Sequence, residues 1–382
     1  MAERERALNI LSRLAVQPAV AYWEAGVASA VALTLDELGV EFQVDAYGNM
    51  IARVPGQDPS AEPLAFVAHM DHPGLEAVSY QGDYLVGEAL GGVPAATFEA
   101  GVPLQVILGD GKRLPATTAG RHGDESQRQV LILLAELRPQ VDPDESGDNV
   151  GPARLELPAP VVFDLPDFQV DGDLIRMRAA DDLAGCASIL AALAELAVQP
   201  PPGDVYGVFT RAEEVGLMGS RLLAESGRLP KETLVVSLES SRTLPGAEQG
   251  SGPVIRVGDA SMTFSAEAES VLLRARETLQ LQEGGFRVQR QLMSGGVCEA
   301  SAFAFYGYRT TGIAFPLGNY HNGAPDGSIQ AEYIHVEDFL GGVQLMLEAA
   351  RQMPEKENIA FKQRFGQVPD EVRERLGATK PA

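Results

Sequence analysis

The chain has 382 residues, of which 45% are hydrophobic and 22% charged, the ordinary range for a soluble globular protein. Its formal net charge is −23, from 53 acidic and 30 basic residues. Such a surface repels nucleic acid and anionic membranes, and it favours metal ions, amines and basic peptides.

The length fits one large domain with a second, smaller one. No run of eighteen apolar residues is present, so no membrane-spanning helix is expected. The charged start, MAERERALNI, lacks the apolar core and cleavage site of a secretory leader. Cys186 and Cys298 are too few for a disulfide framework and form no CxxC pair. A cytoplasmic protein is expected.

In chain order, residues 3–16 and 19–38 read as two helices, with Leu8, Ile10, Leu11 and Leu14 at helical spacing. EFQVDAYGNMIARVPG then predicts a hairpin, with Gly48 and Asn49 supplying the turn. Four apolar runs follow: LAFVA (64–68), VYGVF (205–209), TLVVSL (233–238) and TGIAF (311–315). Continuous rather than alternating apolar character predicts strands buried on both faces of a mainly parallel sheet. Residues 184–197 and 336–352 read as helices between or after them. Residues 75–165 differ, with Gly, Pro and short alternating strands, and residues 139–160 read as loop. The last thirty residues read as a helix and a frayed end.

The expected fold is α/β. A mainly parallel or mixed sheet carries helices on both faces, and a small all-β domain is inserted. Residues 1–74 and 166–382 form the catalytic domain, and residues 75–165 the insertion.

Acids and histidines fall where such a sheet places ligands, beyond the carboxyl ends of its strands. LAFVA runs into His69 and Asp71, VYGVF into Glu213 and Glu214, and TLVVSL into Glu239. TGIAF leads to His321, and Asp181-Asp182 opens a helix. Two imidazoles with three carboxylates suit a pair of Zn²⁺, Mn²⁺ or Co²⁺ ions. Two close dications need an anion between them, a role open to Asp181. Asp71 lies two residues past His69, on the same side of an extended strand, where it can accept the second imidazole N–H. Adjacent Glu213 and Glu214 cannot point the same way, which suits one metal ligand and one base.

AHMDHPG, AADDLAGC, TRAEEVGLMGS and GNYH resemble the metal-ligand blocks of the M42 aminopeptidases, in the clan that includes the M20, M18 and M28 peptidases. DAYGNMIARVPG and GSGPVIRVGDASM extend the resemblance over most of the catalytic domain. It implies that His69, Asp181 and Glu239 bind one ion. Asp181, Glu214 and His321 would bind the other, with Asp181 bridging. Glu213 would be the general base, Asp71 would support His69, and the Asp181–Asp182 peptide would be cis. The ions would be zinc, with cobalt or manganese as alternatives. The implied activity is hydrolysis of N-terminal residues from peptides by a homo-oligomer.

The chain also departs from the family pattern. Glu239 stands where members usually carry Asp, and is closer to the acidic position of M20 enzymes. Leu183 replaces an Arg, His72 replaces a Glu, and residues 295–300 replace GGTDA. An M20-type dipeptidase or deacylase acting on N-acyl amino acids is therefore the second reading, favoured by Glu239. A non-catalytic metal-binding protein is the third, and the intact Glu213 weighs against it. A glycosidase needs two carboxylates across a sugar and has no use for the histidines. Cys186, Cys298, Trp23 and His335 read as structural, and His122 as exposed.

Overall fold

The computed structural model describes residues 2–135, 155–283 and 285–381. Its mixed α/β architecture combines an eight-stranded sheet, a closed six-stranded barrel and a small three-stranded sheet. Among the described residues no helix is long and apolar enough to cross a membrane.

The four apolar runs form the centre of the large sheet. Val205–Thr210, Leu64–His69, Leu234–Arg242 and Arg309–Leu317 lie side by side and parallel. Their continuous apolar character reflects cover on both sides. Phe66 and Ala68 face a core shared with Ile189 and Leu190. Ala65 and Val67 face a second core containing Leu223, Ala224 and Phe303. The first core comes from helix Leu183–Val198, and the second from helices Met218–Ser226 and Glu299–Phe305. At the margins lie the antiparallel hairpin Glu41–Val44 and Met50–Val54 on one side and, on the other, Val254–Arg256 antiparallel to Arg309–Leu317, with Gln289–Gln291 parallel to it at the edge. Parallel pairing sends the carboxyl ends of the central strands to one edge, with Thr210 beside His69.

Helix Leu183–Val198 is buried along most of its length, which its small and apolar residues permit. It lies between the sheet and the helices Ala2–Ala15 and Val336–Gln352. Asp182 caps it, its side chain accepting from the Gly185 amide at 3.2 Å. Asp181, just before the cap, is thereby fixed at the strand ends.

The barrel closes through Gly74–Gln81, Tyr84–Leu90, Gln129–Leu134, Arg113–His122, Ala100–Ile107 and Ala159–Phe163. Alternate residues, including Leu75, Ala77, Leu104, Val106, Val130 and Ile132, fill its interior. The third sheet pairs Leu174–Met177 with Gln169–Asp171 and Glu332–His335.

Several expectations change. The second helix starts at Ala25, not at residue 19. Residues 19–24 are claimed instead by tertiary hydrogen bonds, which outweigh helix propensity. The Ala19 amide donates to His72 Nε2 at 3.1 Å, and the His72 amide donates to the Ala19 carbonyl at 2.8 Å. Of the expected loop at 139–160, residues 139–154 lie outside the described residues, while Ala159 already opens a barrel strand. The C-terminal region forms two short helices, Ala360–Gly366 and Asp370–Ala378, separated by a segment containing Pro369. Trp23 is half-buried, its indole donating to Glu76 at 2.8 Å. His122 is half-buried rather than exposed.

Candidate metal centre

His69 ends its strand fully buried, with Nδ1 3.0 Å from the Asp71 carbonyl. A carbonyl only accepts, so Nδ1 carries a hydrogen, and Nε2 is the atom that a metal would take in place of a proton. That Nε2 faces Asp181 Oδ1 at 3.5 Å and Glu239 Oε1 at 3.6 Å. His321 repeats the arrangement. Its Nδ1 lies 2.9 Å from the Gly92 carbonyl, and its Nε2 faces Glu214 Oε1 at 3.6 Å and Asp181 Oδ2 at 3.8 Å. Asp181 thus presents one oxygen to each imidazole. Ligand atoms of His69, Asp181 and Glu239 all lie within 4.8 Å of one another, as do those of Asp181, Glu214 and His321. A third group of this kind joins His69, Glu213 and Glu214.

Asp71 is placed differently from the expectation. Its carbonyl, not its carboxylate, meets His69 Nδ1, and the nearer carboxylate oxygen is at 3.7 Å. The carboxylate accepts instead from the adjacent amides of Glu213 (2.9 Å) and Glu214 (3.1 Å). One residue therefore orients both the imidazole and the Glu-Glu turn. That turn has Ala212 in the left-handed region, with φ 52°. Buried Glu24 holds it, accepting from the Ala212 amide at 3.0 Å and from Arg211 Nε at 2.7 Å. The Asp181–Asp182 peptide is cis.

Carboxylates crowded in a buried space repel one another. Burial, with repulsion from Glu239, raises Asp181 to about 7. Burial likewise pushes Glu213 and Glu214 well above the usual carboxylate range. Glu239 goes the other way: burial opposes its charge, but His69 and Arg256 hold it down. Burial also opposes charge on His69, yet Glu213 and its neighbours push that imidazole well up. His321 is lowered to about 4, chiefly by burial, and is a neutral ligand type at neutral pH.

These residues fit a divalent metal. His69 Nε2, Asp181 Oδ1 and Glu214 Oε1 are buried and have no hydrogen-bond partner. Buried polar atoms are normally satisfied, so these three orphans, gathered among the ligand-type groups, are what a cation would pair. Imidazole nitrogens with carboxylate oxygens are the donor set of Zn²⁺ and its neighbours.

Sequence reasoning missed several residues here. Arg256, 2% exposed, places Nη1 3.6 Å from Glu239 Oε2 and 3.3 Å from Ser241 Oγ. Tyr320 stacks on His321 with ring centroids 3.8 Å apart. Buried Glu299 accepts from the Thr210 hydroxyl, and burial raises it to about 8. Gly92, from the loop after a barrel strand, approaches His321 so closely that a Cβ would lie 2.5 Å from its Nδ1. Glu332 joins Asp181 to His321 through main-chain amides. Burial pushes its carboxyl well up, while those amides pull it down. The available signal for Glu332 was an acid sharing the buried face of a short strand with Ile334. Nothing local marked Gly92 or Arg256.

Imidazoles and carboxylates converge beyond a parallel sheet, with the Gly92 loop of the β-barrel against His321. The chain belongs to the M42 peptidase family: the family's sequence model, described as M42 glutamyl aminopeptidase, matches residues 48–345. A curated protein of Acetivibrio thermocellus named "Putative aminopeptidase" is 25% identical over 373 residues, covering 91% of this chain and 99% of that one. The fold matches an aminopeptidase from the archaeon Desulfurococcus kamchatkensis at TM-score 0.74 and 21% identity, covering 94% of this chain and 98% of the other. It also matches the Pyrococcus horikoshii TET1 peptidase, whose structure is described as assembling into a tetrahedron or a large octahedral shell. That match has TM-score 0.70 and 22% identity, covering 90% and 99% of the two chains.

Proposed function

We propose that this chain is a metallo-aminopeptidase with two divalent ions per subunit, zinc in the first instance and cobalt or manganese as substitutes. His69, Asp181 and Glu239 would hold one ion and Asp181, Glu214 and His321 the other. The observation that carries this reading is Asp181, which turns one oxygen toward each of two imidazoles whose Nδ1 atoms are already committed to carbonyls.

When bound, such ions polarise a substrate carbonyl and make water a nucleophile at neutral pH. The chain's own residues supply the proton chemistry. Glu213 is the general base: Oε2 lies 4.0 Å from His69 Nε2, at the edge of the ligand groups. It takes a proton from the attacking water and hands it to the leaving amine. Asp71 holds the Glu213 amide and so aims that carboxylate. The crowded carboxylates favour the cationic α-amine of a peptide N-terminus. Ser240, Ser241, Ser294, Gly295 and Gly296 line the adjoining cavity as small groups beside the substrate.

The barrel is read as a separate domain inserted at residues 75–165, its Gly92 loop forming part of the substrate wall. The chain is read as a homo-oligomer, as the neighbours' described assemblies suggest. Two buried, unpaired cysteines support a reducing, cytoplasmic setting.

The second reading, a deacylase or dipeptidase of M20 type, is favoured by Glu239 alone. Purified protein assayed on aminoacyl amides and N-acyl amino acids, with Glu213→Gln as control, separates the two. Cleavage of free-N-terminal amides that Glu213→Gln abolishes is expected. Robust activity only on blocked N-termini overturns the aminopeptidase reading, and full activity in Glu213→Gln overturns the base.

A further inference from the structure

Glu332 is a buried carboxylate, 1% exposed, that the catalytic scheme does not use. Its Oε2 accepts from the amides of Ala180 at 2.7 Å and Asp181 at 3.0 Å. Its Oε1 accepts from the amide of His321 at 2.9 Å. Asp181 follows the strand Leu174–Met177, and His321 lies in a turn after Arg309–Leu317. Glu332 therefore bonds to two members of one ligand group that are far apart in sequence. The His321 turn needs such support. Asn319, His321 and Asn322 all have positive φ without being glycine, a conformation that persists only where surroundings impose it. Three main-chain donors also explain why a carboxylate is kept where an apolar side chain would bury at less cost: amides only donate, and only a carboxylate offers acceptors to all three.

We propose that Glu332 is a positioning residue that sets the separation of Asp181 and His321, and so the affinity for the ion they share with Glu214. This rests on the metal reading above. In metal-stripped protein, calorimetric titration with Zn²⁺ and the visible spectrum on titration with Co²⁺ read the two ions separately. Glu332→Gln keeps the shape but sets an amide NH₂ against main-chain donors. It is expected to weaken the ion held by Asp181, Glu214 and His321 by about 10–100-fold, and the other, which shares only Asp181, by less. Glu332→Asp, one methylene shorter, is expected to fall between, and it serves if the glutamine variant does not fold. A purely structural role would lower the melting temperature of the metal-free protein without separating the two affinities. Wild-type affinity for both ions in either variant overturns the proposal. A wild-type protein that takes up no metal overturns the site reading, and the proposal with it.

Residues 360–381 are held to the body only at their start. Ile359 is buried, and Lys362 Nζ bonds to Ser270 Oγ at 2.8 Å. Beyond Lys362, the hydrogen bonds among the described residues reach no further back along the chain than those of Gln363 to Asn358 and Ile359, and residues 363–381 are all exposed. Yet this stretch shows Phe361, Phe365, Val368, Val372 and Leu376 to solvent, with Phe365 65% and Leu376 66% exposed. Val372 and Leu376 share one helix face, and Phe361 packs on Phe365 at 4.4 Å. Exposed apolar side chains recurring along one segment mark an interaction surface. The stretch also carries five basic and three acidic residues, on a chain whose net charge is −23. A basic, apolar arm matches the acidic surface of a second copy of this chain.

We infer that residues 360–381 are an arm that docks on another subunit. Isotopically light and heavy protein, mixed in equal parts while dissociated, reassembled and treated with a zero-length carboxyl–amine cross-linker, test this by mass spectrometry. Light–heavy links from Lys362 or Lys380 to acidic residues are expected. They should be lost at high salt and in a Phe365→Ser/Leu376→Ser variant that keeps wild-type activity per chain. Links confined to single copies overturn the inference and show an arm that folds back on its own body. Light–heavy links unchanged in the variant overturn the apolar part of the argument.

Discussion

Replacing Gly92 by alanine tests how the barrel and the metal centre depend on each other. Gly92 does not occupy the left-handed region, so alanine imposes no backbone strain, and its effect is steric. The new Cβ would sit 2.5 Å from Nδ1 and 2.9 Å from Cε1 of His321. Ordinary contact needs about 3.5 Å, so the ring must retreat by about 1 Å. Retreat stretches the 2.9 Å bond from Nδ1 to the Gly92 carbonyl, a loss of about 1 kcal/mol. It also moves Nε2 off its line toward Glu214 and Asp181. Displacement of about 1 Å in a catalytic constellation costs on the order of 100-fold in rate. Loss of a ligand's supporting bond costs about 10–100-fold in metal affinity. Gly92→Ala is therefore expected to lose affinity for one ion by that range, with kcat/KM on an aminoacyl amide falling about 100-fold. Metal titration and steady-state kinetics measure both. If Gly92→Ala keeps wild-type affinity and activity, His321 does not depend on the barrel wall and the geometry is misread.

Removing metal should make stability depend on pH in a defined direction. Asp181 and Glu299 are raised to about 7 and about 8 in the folded, metal-free chain. The folded state then holds protons that the unfolded state releases near pH 4, so stability is lost as pH rises from about 4 to about 8. Chelator-treated protein should melt lower at pH 8 than at pH 5, and restored metal should raise the pH 8 value most. A metal-free melting temperature that does not fall with pH contradicts this. Phe66→Ala, in the fully buried central strand, should cost about 3–5 kcal/mol in denaturant unfolding. A cost below about 1 kcal/mol would mean that the strand is not sandwiched between two layers.

Much of this was legible from local pattern. Four apolar runs named the four central strands because a strand covered on both faces has no polar side. His69, Glu213, Glu214 and Glu239 were legible because each lies at or just beyond the end of such a run. Asp181 showed itself as an acid before a helix. The supporting residues were less accessible because their roles arise from contacts far along the chain. Gly92 meets His321 across 229 positions, and Glu332 meets Asp181 across 151. The start of the second helix was misread for the same reason. Residues 19–24 look helical alone, but His72 and the Arg211–Ala212 turn claim their hydrogen-bonding groups. At Asp71 the carbonyl and not the expected carboxylate faces the imidazole, since spacing along a strand does not say which of the two does.

In the proposed site Asp181 serves two ions at once. The direct measurement is metal content per chain by elemental analysis after reloading with Zn²⁺, in wild type and in Asp181→Asn. About two ions are expected in the wild type, and loss of tight binding of both in the variant, with the fold retained by circular dichroism. One ion or none in the wild type, or two tightly held ions in Asp181→Asn, would contradict it.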